Sequence, residues 1–176
     1  MRLDLRDIIH IPGARKEFGY TLDLSGFTLY GEKPFDRPVE VSGVVRNMAG
    51  ALELTGEART CLDVKCDRCL KPITVELTVP AETLLAEELA NGEDGDEIVL
   101  LTNGGVELDE IFTPACVFAL EGKYLCSEDC KGLCPTCGKD LNKGPCGCGK
   151  EMDPRLAVLA KLLDNQEGSQ DKDEEA

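Results

Sequence analysis

The sequence predicts an α+β protein: a mostly antiparallel β-sheet, curled or barrel-like, with one or two short helices and a cysteine-rich C-terminal module. Short runs of alternating apolar residues are separated by glycine-rich turns in the first half of the chain. Helical patterns occur only later, and six of the ten cysteines lie within residues 126–148. At 176 residues, the chain is long enough for one domain and a small appendage.

The predicted strands are short and show the period of two expected when one face of a sheet is buried. The clearest pattern places Phe18, Tyr20, Leu22 and Leu24 on one face. Residues 47–50 indicate a hairpin turn between two further strands. Predicted strands cover residues 3–9, 18–24, 39–45, 51–58, 58–64, 73–79 and 96–101. With few aromatic residues in the chain, the core is expected to be mostly aliphatic.

Two stretches after residue 100 are predicted to be helical. Residues 109–120 carry apolar side chains, although Pro114 is expected to interrupt the helix. Residues 151–164 begin with Asp153 as N-cap and Pro154 at the first helical position. This second helix is expected either to pack on the domain or to cap the cysteine-rich module.

The middle of the chain is strongly acidic. Residues 72–122 contain twelve Asp or Glu and no Lys or Arg. Within them, residues 81–90 indicate a strand end leading into a short helix, and residues 91–96 indicate a loop. No Asp-x-Asp-x-Asp-Gly calcium loop is present. The acidic face therefore either solubilises the chain or docks a basic protein.

Two Cys-x2-Cys pairs predict metal-binding knuckles. Cys134 and Cys137 enclose a Pro-Thr turn, and the following Gly138 permits the positive φ that such turns often need. Cys66 and Cys69 lie between two predicted strands, where the following residue is Leu and the turn is less favourable. The C-terminal cysteine-rich segment is too polar to fold alone, so bound metal is the expected source of its stability.

The cysteines are expected to bind metal and not to form disulfides. No signal peptide or membrane span is recognisable, so a cytoplasmic protein with reduced thiols is expected. Eight clustered cysteines fit one or two structural zinc ions, each held by four thiolates. The preferred sets are Cys134, Cys137, Cys146 and Cys148, and Cys66, Cys69, Cys126 and Cys130.

Other assignments stay open at this point. Cys146 and Cys148 are so close in sequence that one could be spare, or a single site could draw on residues 126–137. Cys61 and Cys116 have no partner at ligand spacing and are expected to be small buried hydrophobes. The single histidine, His10, is expected to be a packed or surface residue and not a ligand.

An iron–sulfur cluster is the alternative cofactor. Cys130, Cys134 and Cys137 have the Cys-x3-Cys-x2-Cys spacing used by radical-SAM enzymes. However, the chain is too short for the usual barrel of those enzymes, and no glycine-rich SAM-binding strand is recognisable. Zinc is therefore preferred.

No catalytic signature accompanies the cysteines. A Ser–His or Cys–His arrangement, a phosphate loop and a paired-carboxylate motif are all missing, so a non-enzymatic protein without a small-molecule substrate is expected. A net charge of −15 disfavours non-specific nucleic-acid binding. The exception is local: Lys131, Lys139 and Lys143 in the cysteine-rich stretch could contact RNA phosphates.

These blocks resemble the bacterial YceD family, the large-ribosomal-RNA-subunit accumulation proteins. The resemblance rests on Cys66-Asp-Arg-Cys69-Leu70, residues 125–142, Cys146-Gly-Cys148 and residues 153–163. It implies a factor in large ribosomal subunit biogenesis that supports accumulation of 23S ribosomal RNA. A basic ribosomal protein or a large-subunit precursor is the expected partner, and the family implies no catalytic residues. The alternatives are a zinc-module RNA-binding protein and an iron–sulfur enzyme.

The expected organisation has four parts. Residues 1–122 form an acidic β-rich domain with a Cys-x2-Cys hairpin at 66–69, and residues 123–150 form the metal-binding module. Residues 151–164 form the C-terminal helix, and residues 165–176 form a disordered acidic tail.

Overall fold

A computed structural model describes residues 1–29, 31–49, 51–88 and 98–148. The loop predicted at 91–96, the C-terminal helix and the acidic tail lie outside these residues. The chain divides into two compact units, Met1–Cys130 and Lys131–Ala176. Residues 123–130, which the sequence assigns to the cysteine-rich module, thus lie in the same unit as the predicted sheet.

A five-stranded sheet dominates the first unit. Its strands are β2 (Arg15–Leu22), β3 (Val39–Met48), β4 (Ala51–Lys65), β5 (Pro72–Ala86) and β6 (Ile98–Leu100), in that order across the sheet. Neighbours pair antiparallel except β5 and β6, which are parallel. A second sheet pairs β1 (Arg2–Asp4) with β7 (Gly105–Glu107). The mostly antiparallel sheet is confirmed, but it is open and not a barrel, since β2 and β6 do not pair within the described residues.

Strands β4 and β5 are longer than the sequence predicts. Strand β4 joins the two runs expected over residues 51–64 into one strand. Strand β5 continues through the first part of a stretch expected to become helical, because alternation persists from buried Val79 to buried Leu85. Pro80 is tolerated because β6 pairs with β5 only from Leu84 onward, so β5 has a described neighbour on one side only at this position.

Helix α1 (Leu108–Phe118) packs against the inner face of the five-stranded sheet. Its buried residues are spaced four apart: Leu108, Phe112 and Cys116. The interruption expected at Pro114 does not occur, and the helix continues through it. Pro114 and Glu110 are both exposed, so the Glu110 carbonyl that loses its N–H partner can bond to water. No helix in this part of the chain is long and apolar enough to cross a membrane.

Asn47 is a buried residue of β3 and not part of the hairpin turn expected at this position. Its Nδ2 donates hydrogen bonds to the carbonyl oxygens of Ile8 (2.9 Å) and Ile9 (2.7 Å). Its backbone N–H donates to the Ala14 carbonyl at 2.9 Å. These bonds fasten the N-terminal turns to the sheet, while the hairpin turn follows at Ala49, with φ of 59°.

Two glycines face each other across β3 and β4, with Gly43 opposite Gly56. The core around them is mostly aliphatic, as expected, but two aromatic rings lie over this pair. Phe18 meets Phe112 edge-on, with ring centroids 6.0 Å apart. A Cβ on Gly43 would lie 2.6 Å from the Phe18 ring and 2.5 Å from the Thr55 carbonyl oxygen. The sheet therefore needs glycine at this position to admit the aromatic pair.

Candidate metal centres

Four cysteines of the first unit form one cluster, called here the sheet cysteine group: Cys66, Cys69, Cys126 and Cys130. Their Sγ atoms all lie within 4.8 Å of one another. The Cys66–Cys130 Sγ distance is 3.8 Å and the Cys69–Cys126 distance is 3.6 Å. A tetrahedral zinc ion with Zn–S bonds of about 2.3 Å places its sulfurs about 3.8 Å apart, whereas a disulfide brings them to about 2 Å. The spacing fits four thiolates around one ion.

The tip of the β4–β5 hairpin forms a knuckle. The N–H of Cys66 donates to the Lys71 carbonyl oxygen at 2.9 Å, and the N–H of Leu70 donates to the Cys66 carbonyl oxygen at 2.8 Å. Leu70 has φ of 59°, a left-handed conformation that is costly for any residue except glycine. The less favourable turn expected from Leu at this position is thus present as backbone strain.

Asp67 and Arg68, between the two cysteines of this knuckle, hold the segment that carries the other two ligands. Asp67 and Tyr124 exchange two hydrogen bonds: the Asp67 N–H donates to the Tyr124 carbonyl (2.9 Å), and the Tyr124 N–H donates to Asp67 Oδ2 (2.6 Å). Arg68 Nη1 donates to the carbonyl oxygens of Glu128 (3.0 Å) and Cys130 (2.8 Å). These contacts position the segment that carries Cys126 and Cys130 against the knuckle that carries Cys66 and Cys69.

Replacing Arg68 with glutamine should weaken metal binding at the sheet cysteine group about tenfold, because outer partners of metal ligands typically contribute that much or more. The change removes the two hydrogen bonds that Arg68 Nη1 donates to the carbonyl oxygens of Glu128 and Cys130, and Cys130 is itself a ligand. Competition against a chromophoric chelator measures the affinity. Arg59→Gln, which removes an exposed ion pair with Glu57, is the matched control. An equal loss in both variants would contradict the positioning role of Arg68.

The second unit contains the module cysteine group: Cys134, Cys137, Cys146 and Cys148, whose Sγ atoms also lie within 4.8 Å of one another. Its knuckle repeats the hydrogen bonds of the first. The N–H of Cys134 donates to the Lys139 carbonyl (2.8 Å), and the N–H of Gly138 donates to the Cys134 carbonyl (2.9 Å). Gly138 has φ of 72°, so the positive φ expected there is confirmed.

The shared geometry leads to a reciprocal prediction. Leu70→Gly should raise the free energy of unfolding by about 0.5–1 kcal/mol, because relief of left-handed strain exceeds the entropy lost by fixing a glycine. Gly138→Ala should lower it by about 1 kcal/mol through backbone strain alone, since an added Cβ would meet nothing within 4 Å. Urea denaturation measures both values. Leu70→Ala keeps the strain, so a stabilisation equal to that of Leu70→Gly would contradict this explanation.

The sheet cysteine group holds two thiols with opposite acidity. Burial opposes ionisation of Cys66, but N–H groups of Cys126, Cys69 and Arg68 outweigh it and lower the pKa of Cys66 to about 6. Hydrogen bonds from Cys126 to the neighbouring sulfurs of Cys130 and Cys69 favour its protonated form and raise the pKa of Cys126 to about 12. A divalent cation bound by all four sulfurs would displace the protons that they carry, because thiolate is the form that binds metal.

The module cysteine group shows the same division. Backbone N–H groups of Cys137 and Thr136 lower the pKa of Cys134 to about 6. The neighbouring Cys137 sulfur, burial and the Cys134 sulfur raise the pKa of Cys148 to about 12. In each group, therefore, one thiol is more acidic and another less acidic than a free cysteine.

The structure brings together the same two sets of cysteines that the sequence analysis prefers, with both Cys146 and Cys148 included. That the two groups bind metal stays a prediction. The cysteines of the iron–sulfur alternative are divided, with Cys130 in one group and Cys134 and Cys137 in the other.

The remaining candidates lie outside both groups. Cys116 is buried in the core, as expected, whereas the expectation that Cys61 is buried is wrong. Cys61 is only partly buried because it alternates with inward-facing Leu62 along β4. His10 is an exposed residue. The positioning residues Asp67 and Arg68 were not identified from the sequence, although they lie within the first cysteine pair.

Two of the three lysines proposed to contact RNA have partners within their own unit. Lys139 Nζ donates to the Pro145 carbonyl oxygen at 2.7 Å. Lys143 Nζ lies 3.5 Å from Asp140 and remains largely exposed. The Lys131 backbone N–H donates a hydrogen bond to Asn142 Oδ1 at 2.8 Å. The Lys139 ammonium group therefore holds the segment itself, whereas Lys143 stays largely exposed to solvent.

Comparisons with known proteins place these groups within a family. A family model described as large ribosomal RNA subunit accumulation protein YceD matches residues 54–163, which include all eight grouped cysteines. An uncharacterized protein of Mycobacterium tuberculosis (strain ATCC 25618 / H37Rv) is 29% identical over 122 residues, covering 68% of this chain and 59% of that protein.

Two chloroplastic plant proteins are also similar, both named large ribosomal RNA subunit accumulation protein YCED homolog 1. The Arabidopsis thaliana protein is 27% identical over 168 residues (77% of this chain, 52% of the relative), and the Zea mays protein is 28% identical over 160 residues (72% and 54%). The chain thus spans little more than half the length of these relatives. No solved structure matches. Since the family model covers more than half of its residues, the chain belongs to the YceD family of large ribosomal RNA subunit accumulation proteins.

Proposed function

We propose that this chain is a non-enzymatic factor in large ribosomal subunit biogenesis that supports accumulation of 23S ribosomal RNA through protein contacts. The observation that carries the proposal is the family match over residues 54–163, which contains both cysteine groups and most of the β4–β5 hairpin. The plant relatives are named for the same role, which supports it.

The two cysteine groups act in this proposal as structural zinc sites. Four thiolates complete a tetrahedral shell and leave no position for water or substrate, which distinguishes structural zinc from catalytic zinc. The Sγ spacing of the sheet cysteine group fits this shell. The metal therefore stabilises the segments that carry the cysteines and supplies no chemistry.

Anaerobic purification tests the identity of the metal. A colourless protein that contains about two zinc ions per chain, one for each group, is the expected result. A brown protein with visible absorption and bound iron would favour an iron–sulfur cluster and overturn the zinc assignment.

The expected partner is a basic ribosomal protein or a large-subunit precursor. A net charge of −15 favours association with a basic partner and makes it sensitive to salt. Affinity purification from cells at low and at high salt tests this. Large-subunit precursors or ribosomal proteins should be recovered at low salt and reduced at high salt, and recovery of neither at low salt would contradict the proposal.

The alternative of direct RNA binding predicts a role for Lys131, Lys139 and Lys143. Replacing all three with glutamine should leave RNA affinity unchanged within about twofold, because a zinc ion with four thiolates carries about −2 and offsets the local positive charge. A filter-binding measurement with large-subunit RNA fragments checks this. A substantial loss of affinity, with unchanged zinc content, would favour the RNA-binding module instead.

A further inference from the structure

One end of the outer face of the five-stranded sheet is apolar and exposed to solvent. The exposed fraction is 61% for Met48, 44% for Leu84, 36% for Ile98 and 49% for Leu100. These residues come from three strands, β3, β5 and β6. On the fourth strand, β4, Ala51 pairs with Met48 and is also exposed.

The register places these residues side by side. Leu84 pairs with Ile98, and Ala86 pairs with Leu100. The intervening pair, Leu85 with Val99, packs against the core, so the residues on either side of it face outward. The resulting surface is called the apolar band, and its residues are Met48, Ala51, Leu84, Ala86, Ile98 and Leu100.

The dimensions of the apolar band match one helix. The row of Met48, Ala51, Ala86 and Leu100 crosses four strands about 4.8 Å apart and spans about 14 Å. Leu84 and Ile98 extend it by about 7 Å along β5 and β6. A helix of three turns is about 16 Å long, which is close to the 14 Å across the strands. Its apolar stripe is about as wide as the 7 Å along the strands. The band is therefore long enough to cover the apolar face of a short amphipathic helix.

Four carboxylates and one arginine adjoin the apolar band. Glu53 lies opposite Leu84, with Arg46 opposite Glu53 on the next strand. Glu82 is exposed two residues before Leu84 on the same face, and Glu87 and Glu88 are exposed just after β5. A second copy of this chain is a poor occupant, because two acidic rims and two net charges of −15 would meet.

We propose that the apolar band docks a basic amphipathic helix of a protein partner, with lysine or arginine side chains beside Glu53, Glu82, Glu87 and Glu88. Charge complementarity selects a basic partner, and the exposed aliphatic side chains supply the buried contact. The inference rests on the proposed function, for which it names the surface that holds the partner.

Peptide binding to the full chain tests the inference. The probe is a fluorescent peptide of about 14 residues, roughly four helical turns, with leucine and alanine on one face and lysine on the other. Replacement of Leu84, Ile98 and Leu100 by serine should weaken its binding about tenfold or more. Unchanged binding, measured by fluorescence anisotropy, would overturn the inference.

Two protein controls accompany this variant. Phe118→Ser removes an exposed apolar side chain of α1, which lies outside the five-stranded sheet, and should bind the peptide as the original chain does. Glu53→Gln with Glu82→Gln should weaken binding about threefold and reduce its dependence on salt. Equal losses in the control and the band variants would overturn the inference.

A peptide of the same composition without an apolar face should bind at least about fivefold more weakly, and equal binding of both peptides would overturn the inference, since charge alone would then explain it. A large loss of melting temperature in the serine variant without peptide would also overturn it. In that case the apolar band would be packed against the chain's own residues, and no partner would be needed.

Co-sedimentation with large-subunit precursors separates this inference from the proposed function. If the original chain and the serine variant co-sediment equally, the inference fails and the proposed function stands. If the original chain does not co-sediment, the proposed function fails, and the peptide result still decides whether the apolar band is a docking surface.

Discussion

Replacing Cys66 with serine should reduce the metal content from two ions per chain to one, in line with two separate cysteine groups. Cys66 is fully buried, and its Sγ lies 3.8 Å from that of Cys130, so a neutral hydroxyl would replace a thiolate at the centre of the sheet cysteine group. Three remaining thiols bind zinc much more weakly. Because metal binding contributes directly to folding, the free energy of unfolding should fall by about 3 kcal/mol or more.

Elemental analysis and urea denaturation of the zinc-loaded protein measure the two effects. Cys61→Ser is the matched control, because Cys61 lies on β4, the strand that leads into Cys66, and belongs to neither cysteine group. It should keep both ions and change stability by less than about 0.5 kcal/mol. Retention of two ions by the Cys66 variant would contradict the role of Cys66 as a required ligand of the sheet cysteine group.

The sheet was predictable where local alternation is strong. Phe18 and Leu22 are buried on the face that the pattern assigns to them. Asn47 was not predictable, since asparagine followed closely by glycine is typical of turns. Its burial depends on the Ile8 and Ile9 carbonyl oxygens, which are 39 and 38 residues away in sequence, and no local pattern contains such partners.

The composition of the cysteine groups was predictable because thiolate zinc sites need four ligands and the chain supplies two sets of four. Cys66 and Cys130 are 64 residues apart, so only this counting argument connected them. The roles of Asp67 and Arg68 were not predictable, because their partners are backbone carbonyl and N–H groups that every residue carries.

The conformation of Leu70 did have a usable signal. Lys71 follows Cys66 by the same five positions by which Lys139 follows Cys134, and both lysine carbonyls accept the hydrogen bond from the first cysteine of their knuckle. Two equal spacings predict equal turns. Because the spacing is the same in both knuckles, the left-handed φ of Gly138 is expected at Leu70 as well, although leucine disfavours that conformation.

Replacing Gly43 with alanine should lower the free energy of unfolding by about 3 kcal/mol, at the upper end of overpacking costs in a well-packed core. The new Cβ would lie 2.5 Å from the Thr55 carbonyl oxygen and 2.7 Å from the Gly56 Cα, and both atoms belong to the backbone of β4. The third collision, 2.6 Å from the Phe18 ring, would press the ring toward Phe112. Neither the paired strand nor the ring pair can move without disturbing the core.

Thermal unfolding of Gly43→Ala should show a melting temperature lower by roughly 10 °C. Gly19→Ala is the matched control, because Gly19 lies on the neighbouring strand β2 and an added Cβ there would meet the Val41 carbonyl oxygen at an ordinary 3.9 Å. The control should change stability by less than about 0.5 kcal/mol. If both alanines cost the same, the loss would reflect a general effect of alanine in this sheet, and the close packing of Phe18 and Phe112 over the glycine pair would not be its cause.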